Sequence, residues 1–125
     1  MNRTELLTYI EDNYGVKPEY PWVKYPDYAV LRHDGNRKWF AVIMGIPKNR
    51  LGLKGDEVAD FVNFKCAPFI LDSFLGEKGF YPAYHMSKTN WITVVLDGSV
   101  CADKIKMLLD MSFTLTAPKI PKPKR

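Results

Sequence analysis

Tyr28-Ala29-Val30-Leu31-Arg32-His33 and Lys38-Trp39-Phe40-Ala41-Val42-Ile43-Met44-Gly45-Ile46 are two apolar-rich runs separated by Asp34-Gly35-Asn36-Arg37. β-Branched, aromatic and aliphatic residues on both sides of a short Gly-containing turn predict a β-hairpin. Pro47 ends the second strand, because proline cannot donate to a ladder. Upstream, Thr4 to Tyr14 places Leu6, Leu7, Ile10 and Tyr14 at helical spacing. Thr4 is the expected cap, Glu5 suits the positive end of the helix dipole, and Gly15 supplies a stop. Between helix and hairpin, Val16 to Asp27 contains Pro18, Pro21 and Pro26. That stretch reads as an irregular connection, with Tyr20, Trp22 and Tyr25 expected to pin it to the body.

Downstream of the hairpin, Lys48 to Lys54 fits a loop or a short strand. Val58 to Phe64 reads as a strand. Pro68 suits the first turn of a helix running to about Leu75, with Gly76 and Gly79 ending it. Trp91 to Leu96, rich in β-branched residues, is a further strand. Asp97-Gly98 turns the chain, and Ser99 is the expected cap of a last helix over about Val100 to Phe113. In that helix Ile105, Leu108, Leu109 and Ser112 share a face. The order helix, hairpin, strand, helix, strand, helix predicts an α+β fold. An antiparallel sheet would carry the N-terminal and C-terminal helices on one face. The expected organisation is one domain over 1–117 and a basic Pro/Lys-rich tail over 118–125.

The 125 residues are enough to bury a core without metal or disulfide staples. Hydrophobic residues make up 46% of the chain, which argues against disorder. Cys66 and Cys101 are far apart and form no CxxC, so two buried or half-buried free thiols are expected. The first fifteen residues carry Glu5, Glu11 and Asp12 and no apolar run, unlike a secretory signal. No stretch approaches the ~18 apolar residues of a membrane span, and a cytoplasmic setting is expected. The net charge of +4 belongs to the tail. Lys119, Lys122, Lys124 and Arg125 are four of the 18 basic residues, and the other 14 match 14 acids. Binding to nucleic acid must therefore rest on the arrangement of charge.

Three segments carry a family resemblance. Val62-Asn63-Phe64-Lys65-Cys66 is followed by Pro68. Tyr84-His85-Met86-Ser87-Lys88-Thr89-Asn90-Trp91-Ile92-Thr93-Val94 leads into Leu96-Asp97-Gly98-Ser99. These resemble the MmcQ/YjbR family, in which an N/S-L-K-x-x-P stretch precedes a helix. There an H-M/L-x-K-x-x-W-x-T-V-x-L-D-G-S run precedes the last helix. Phe64 stands where leucine is usual, and Phe69 where acidic residues are common. The resemblance covers Thr4 to about Lys119. It implies a CyaY-like (frataxin-like) architecture and a double-wing, DNA-binding role with two hairpin wings. One lineage of the family is associated with mitomycin resistance.

Charge arrangement adds to the nucleic-acid expectation. From Val30 to Lys54 the basic residues are Arg32, Arg37, Lys38, Lys48, Arg50 and Lys54, against the single acid Asp34. Lysine and arginine contacts to phosphate dominate non-specific affinity, so such a hairpin would grip a backbone. The plain alternative is a solvated hairpin. His85, Lys88 and Trp91, close to Asn90, offer donors, a cation and an aromatic face for a second contact region. The plain alternative there is a turn that satisfies backbone groups and opens a core strand. A different class of function is a pocket for a small planar ligand lined by Trp22, Trp39, Tyr84 and Trp91. An enzyme using Cys66, with Lys65 beside it and His85 as base, ranks last, since no oxyanion motif or orienting acid accompanies it. His33 and His85 form no metal-ligand spacing, and no cofactor is expected. Glu5, Glu11 and Asp12 are too few for the acidic first helix that iron binding would want. The chain reads as a small non-enzymatic binding protein.

Overall fold

In the computed structural model, which describes residues 1–119, five strands form one antiparallel sheet in the order β1-β2-β3-β5-β4. The strands are β1 (Ala29–Arg32), β2 (Trp39–Pro47), β3 (Val58–Lys65), β4 (Phe80–Pro82) and β5 (Trp91–Val95). The helices are α1 (Arg3–Tyr14), α2 (Pro68–Phe74) and α3 (Ala102–Thr116). Lys48–Leu51 is a 3₁₀ turn and not a short strand. From residue 120 onward the expected basic tail lies outside the described residues.

The hairpin forms as the sequence predicts, and the helices share one face of the sheet. Leu6 and Ile10 of α1 and Ile105, Leu108 and Leu109 of α3 are buried in the core with Ile43, Val62, Phe64 and Ile92. Tyr14, Phe40 and Phe113 meet in one aromatic cluster, with Tyr14 and Phe113 centroids 4.4 Å apart. His33 is buried beside Phe40 and Phe113 and contacts the Phe113 carbonyl and the Thr116 hydroxyl. Every buried side-chain polar atom among the described residues has a partner, as burial in a low dielectric demands.

Three local expectations are corrected. The cap of α1 is Asn2, which forms a reciprocal capping box with Glu5; the Glu5 side chain reaches back to the Asn2 N–H and fixes the helix start there. Ser99 does not cap α3, which begins at Ala102. Its hydroxyl and N–H instead donate to Asp97 within the preceding turn. Strand β4 was not anticipated. It is a three-residue edge strand ended by Pro82, too short to show alternation and tolerant of proline because only one side pairs. Gly79 admits it, with φ of 93° and no room for a Cβ beside Val100.

β2 carries one irregularity with large consequences. Leu31 pairs with Ala41 and Arg32 with Trp39, so Phe40 is an extra residue without a partner on β1. An extra residue resets the alternation of faces. Phe40 joins the helix-side aromatic cluster, while Trp39 shares the opposite face with Val42 and Met44. In an unbulged strand, positions three apart point to opposite faces.

Candidate functional site

Among the described residues no helix packs on the second face of the sheet. The connection from Val16 to Tyr28 crosses it as a strap. At one end, Glu19 and Val30 exchange backbone hydrogen bonds of 2.9 and 2.8 Å. At the other, the Asp27 carboxylate accepts from the Gly45 N–H at 3.1 Å, and Arg3 donates to the Asp27 carbonyl. A Cβ at 45 would lie 2.6 Å from Asp27 Oδ2, so glycine there lets the carboxylate approach the backbone. Between these anchors Trp22 sits edge-on to Trp39 and Tyr28, with centroids 5.5 and 6.0 Å away. Tyr25 stacks on Tyr28 at 4.7 Å.

Opposite the strap, the segment between β4 and β5 brings Tyr84 over the sheet. A buried polar network holds it. Asn63 Nδ2 donates to the Tyr84 carbonyl at 2.8 Å, the Tyr84 N–H donates to Thr93 Oγ1 at 2.9 Å, and Thr93 Oγ1 donates to Asn63 Oδ1. Asn63 and Thr93 are both fully buried and face each other across β3 and β5. His85 then takes φ of 58°, a left-handed conformation uncommon outside glycine, and sets its ring edge-on to Tyr84 at 4.0 Å.

Strap, sheet and loop enclose a cavity of about 350 Å³. Trp22, Tyr25, Tyr28, Trp39, Tyr84 and His85 form its walls, with Val42, Met44 and Met86 adding apolar surface and Asn63 at its floor. Three of the four aromatics expected for a planar-ligand pocket therefore come together. Trp91 does not. It is buried at the start of β5 beneath the Lys65 ammonium, 5.7 Å from its ring centroid, and faces a neighbouring groove with Arg37, Lys38, Trp39 and Lys65. Tyr25, Tyr28 and Asn63 were not anticipated in the pocket. The signal for Tyr25 was its place in a proline-rich aromatic stretch. For Asn63 it was a polar residue inside a strand otherwise dominated by large apolar residues.

The expected second contact region is not a single cluster. His85 lines the aromatic cavity, Lys88 lines an adjoining groove with Arg50, and Trp91 lies in the third. The basic hairpin is also divided. Arg32 makes a two-pronged ion pair with Glu19 at 2.9 and 3.1 Å, and Arg37 reaches the same carboxylate at 3.0 Å. Burial pushes the Glu19 carboxyl up, but the hydrogen bonds and charges of Arg32 and Arg37 outweigh this and hold it below the usual range. The turn between the strands is tied to α3 through Asn36 Nδ2, which donates to the Thr116 carbonyl at 2.8 Å. Lys38, Lys48, Arg50 and Lys88 make no ion pair among the described residues.

Cys66 is buried, and burial pushes its thiol up from the ordinary value, which suppresses the thiolate that nucleophilic chemistry needs. His85, the base suggested for it, lies on the aromatic cavity. Among the described residues no three His, Cys, Asp or Glu side chains cluster as metal ligands would, and no helix is long and apolar enough to cross a membrane.

The YjbR family model matches residues 12–115. "Uncharacterized protein YyaQ" of Bacillus subtilis strain 168 is 40% identical over 116 residues, covering 93% of this chain and 98% of YyaQ. A Pseudomonas syringae protein solved by crystallography superposes with a TM-score of 0.91 at 44% identity, covering 94% of this chain and all of its own. Its solution NMR structure gives 0.89 at 42% identity, with both chains fully covered. Deinococcus radiodurans protein DR2400, at 19% identity and a TM-score of 0.69, shares the fold over 91% of this chain and 77% of its own. The matched span contains Asn63, Thr93, Tyr84 and Trp39, and with them the bulge, the polar network and the cavity. The chain belongs to the YjbR family.

Proposed function

We propose that the protein is a non-enzymatic binding module whose aromatic cavity takes a small planar compound. The observation that carries this reading is the convergence of Trp22, Tyr28, Trp39 and Tyr84 around about 350 Å³, a volume within the range of small-molecule sites. Aromatic walls offer stacking and edge contacts worth about 0.5–1.5 kcal/mol each beyond the area they bury. The polar network of Asn63 and Thr93 fixes the wall that Tyr84 provides, so the site is preorganised. Tryptophan fluorescence titrated with naphthalene, quinoline and isoalloxazine compounds tests it. Saturable quenching is expected, weakened about tenfold by Tyr84→Ala. A flat titration across the three ring systems removes the reading.

Nucleic acid is the second reading, favoured by a specific arrangement. The β1–β2 turn and the β4–β5 segment leave the same end of the sheet, beside the close of β3. Lys38 lies on the first and Lys88 on the second, and Lys48 and Arg50 follow β2, all four without an ion-pair partner among the described residues. Lys38 and Lys88 would supply phosphate contacts at this end, with Trp91 in the groove that Lys38 lines, while Lys48 and Arg50 leave β2 at its other end. Arg32 and Arg37 contribute less, because Glu19 already holds them. Fluorescence anisotropy with a labelled duplex and a matched single strand across salt concentrations tests this. Affinity falling linearly in log salt, at about 0.9 per phosphate on duplex, supports it. No binding at low salt ends it.

A further inference from the structure

We infer that the compound in the aromatic cavity carries an anionic group, a phosphate or carboxylate, and that Arg50 and Lys88 receive it. This rests on the cavity reading above and names the ligand class. Tyr84 is a wall shared by two spaces: the aromatic cavity on one side, and on the other a groove of about 210 Å³ bearing Arg50 and Lys88. A ring seated against Tyr84 with a substituent long enough to pass the edge of that side chain would present it to the groove that Arg50 and Lys88 line.

Arg50 lines the groove beside Tyr84. The Tyr28 phenol of the cavity wall is pushed up mainly by burial, with the Arg50 guanidinium opposing that rise. Arg50 is held by the 3₁₀ turn, which Gly52 closes in a left-handed conformation with its N–H bonded back to the turn. Lys88 is also fixed in place, since its ammonium donates to the Ala83 carbonyl at 2.9 Å. An ammonium has three donors, so two remain for a ligand. A guanidinium forks onto two oxygens of a phosphate or carboxylate, and an ammonium adds a point charge.

Among the described residues no acid lines this groove. Beyond the groove, Asp97 acts on the groove-lining Tyr81 and accepts from Ser99, while Asp27, at the cavity's strap, is engaged by the Gly45 N–H and stands 3.7 Å from the Arg3 guanidinium. The other cationic groove, with Arg37, Lys38 and Lys65, is less suited. Glu19 engages Arg37, and Lys65 lies over the Trp91 ring.

Equilibrium dialysis of the full chain with 2-naphthol, 2-naphthyl phosphate and 2-naphthoate, at low and high salt, tests the inference. One or both anions should bind at least tenfold more tightly than 2-naphthol at low salt, with the preference shrinking at high salt. Whichever anion is preferred identifies the group. In the double variant Arg50→Gln with Lys88→Gln the anion-to-naphthol ratio should fall to about one. Equal binding of all three probes, or a ratio unmoved in the double variant, overturns the inference while leaving the cavity reading intact. Failure of all three to bind overturns both.

Discussion

The Ser112 hydroxyl donates to the Phe40 carbonyl at 2.5 Å and accepts from the Lys65 N–H at 2.8 Å. Phe40 is the residue that the bulge adds to β2, and Lys65 is the last residue of β3. The β2–β3 ladder begins only at Ala41 and Phe64, so one serine from α3 stands where the next rung would be. The hydroxyl meets backbone groups that would otherwise be buried unpaired. It thereby stabilises the irregularity that puts Trp39 on the cavity face.

Ser112→Ala should therefore act on both stability and binding. Two buried backbone groups lose their partner, a cost of about 1–3 kcal/mol. Urea unfolding monitored by circular dichroism measures this. Ligand affinity should also fall, because Trp39 loses its fixed position. A stability loss below about 0.5 kcal/mol would show that the bulge does not depend on Ser112.

His33 gives the fold a pH dependence of known sign. Burial lowers its pKa from the ordinary 6.5, with the hydrogen bond to the Phe113 carbonyl opposing. The unfolded chain thus binds a proton more readily than the folded one. The neutral ring's contribution is complete above about pH 6.5 and is lost as pH falls below that value. Chemical denaturation at pH 7.5 and 5.5 should show lower stability at 5.5, and His33→Gln should reduce the difference. Stability unchanged or higher at pH 5.5, with the variant behaving alike, would contradict the buried neutral ring.

The two cysteines should separate cleanly in thiol labelling. Cys101 is not buried as expected but exposed, because it sits at the cap position ahead of α3, and it should react with a disulfide reagent within minutes at pH 8, while Cys66 is buried with a raised pKa and should react only on unfolding. Rapid labelling of Cys66 in the native protein would reopen the nucleophile reading.

How far the sequence discloses this molecule depends on the range of each interaction. The β1–β2 hairpin, Gly15 as the helix stop and the core face of α3 are local signals of turn chemistry and periodicity, and they appear in the structure as read. The bulge at Phe40 is not local. Its supporting serine is 72 residues away, and nothing between Trp39 and Ile46 breaks the apolar run. For that reason Trp39 could be named as a pocket residue without any means of seeing what it would face. The same holds for the basic hairpin, where counting charges missed Glu19, brought to Arg32 by the bridge to Val30. Aromatic content alone points to Trp91 as a pocket residue, but it pairs with Lys65 at the end of β3 and lines the neighbouring groove. The family segments supplied Asn63 and Thr93. Only the fold shows that these two hold Tyr84 over the cavity.

The most direct test of the central claim is a heteronuclear NMR titration that follows the three indole N–H signals as 2-naphthol and 2-naphthyl phosphate are added. Trp22 and Trp39 line the cavity and Trp91 does not, so the third indole is an internal control. Saturable shifts at Trp22 and Trp39 with Trp91 little moved are the expected result. No shift with either probe, or a shift at Trp91 as large as the other two, would contradict the assignment of the cavity as the binding site.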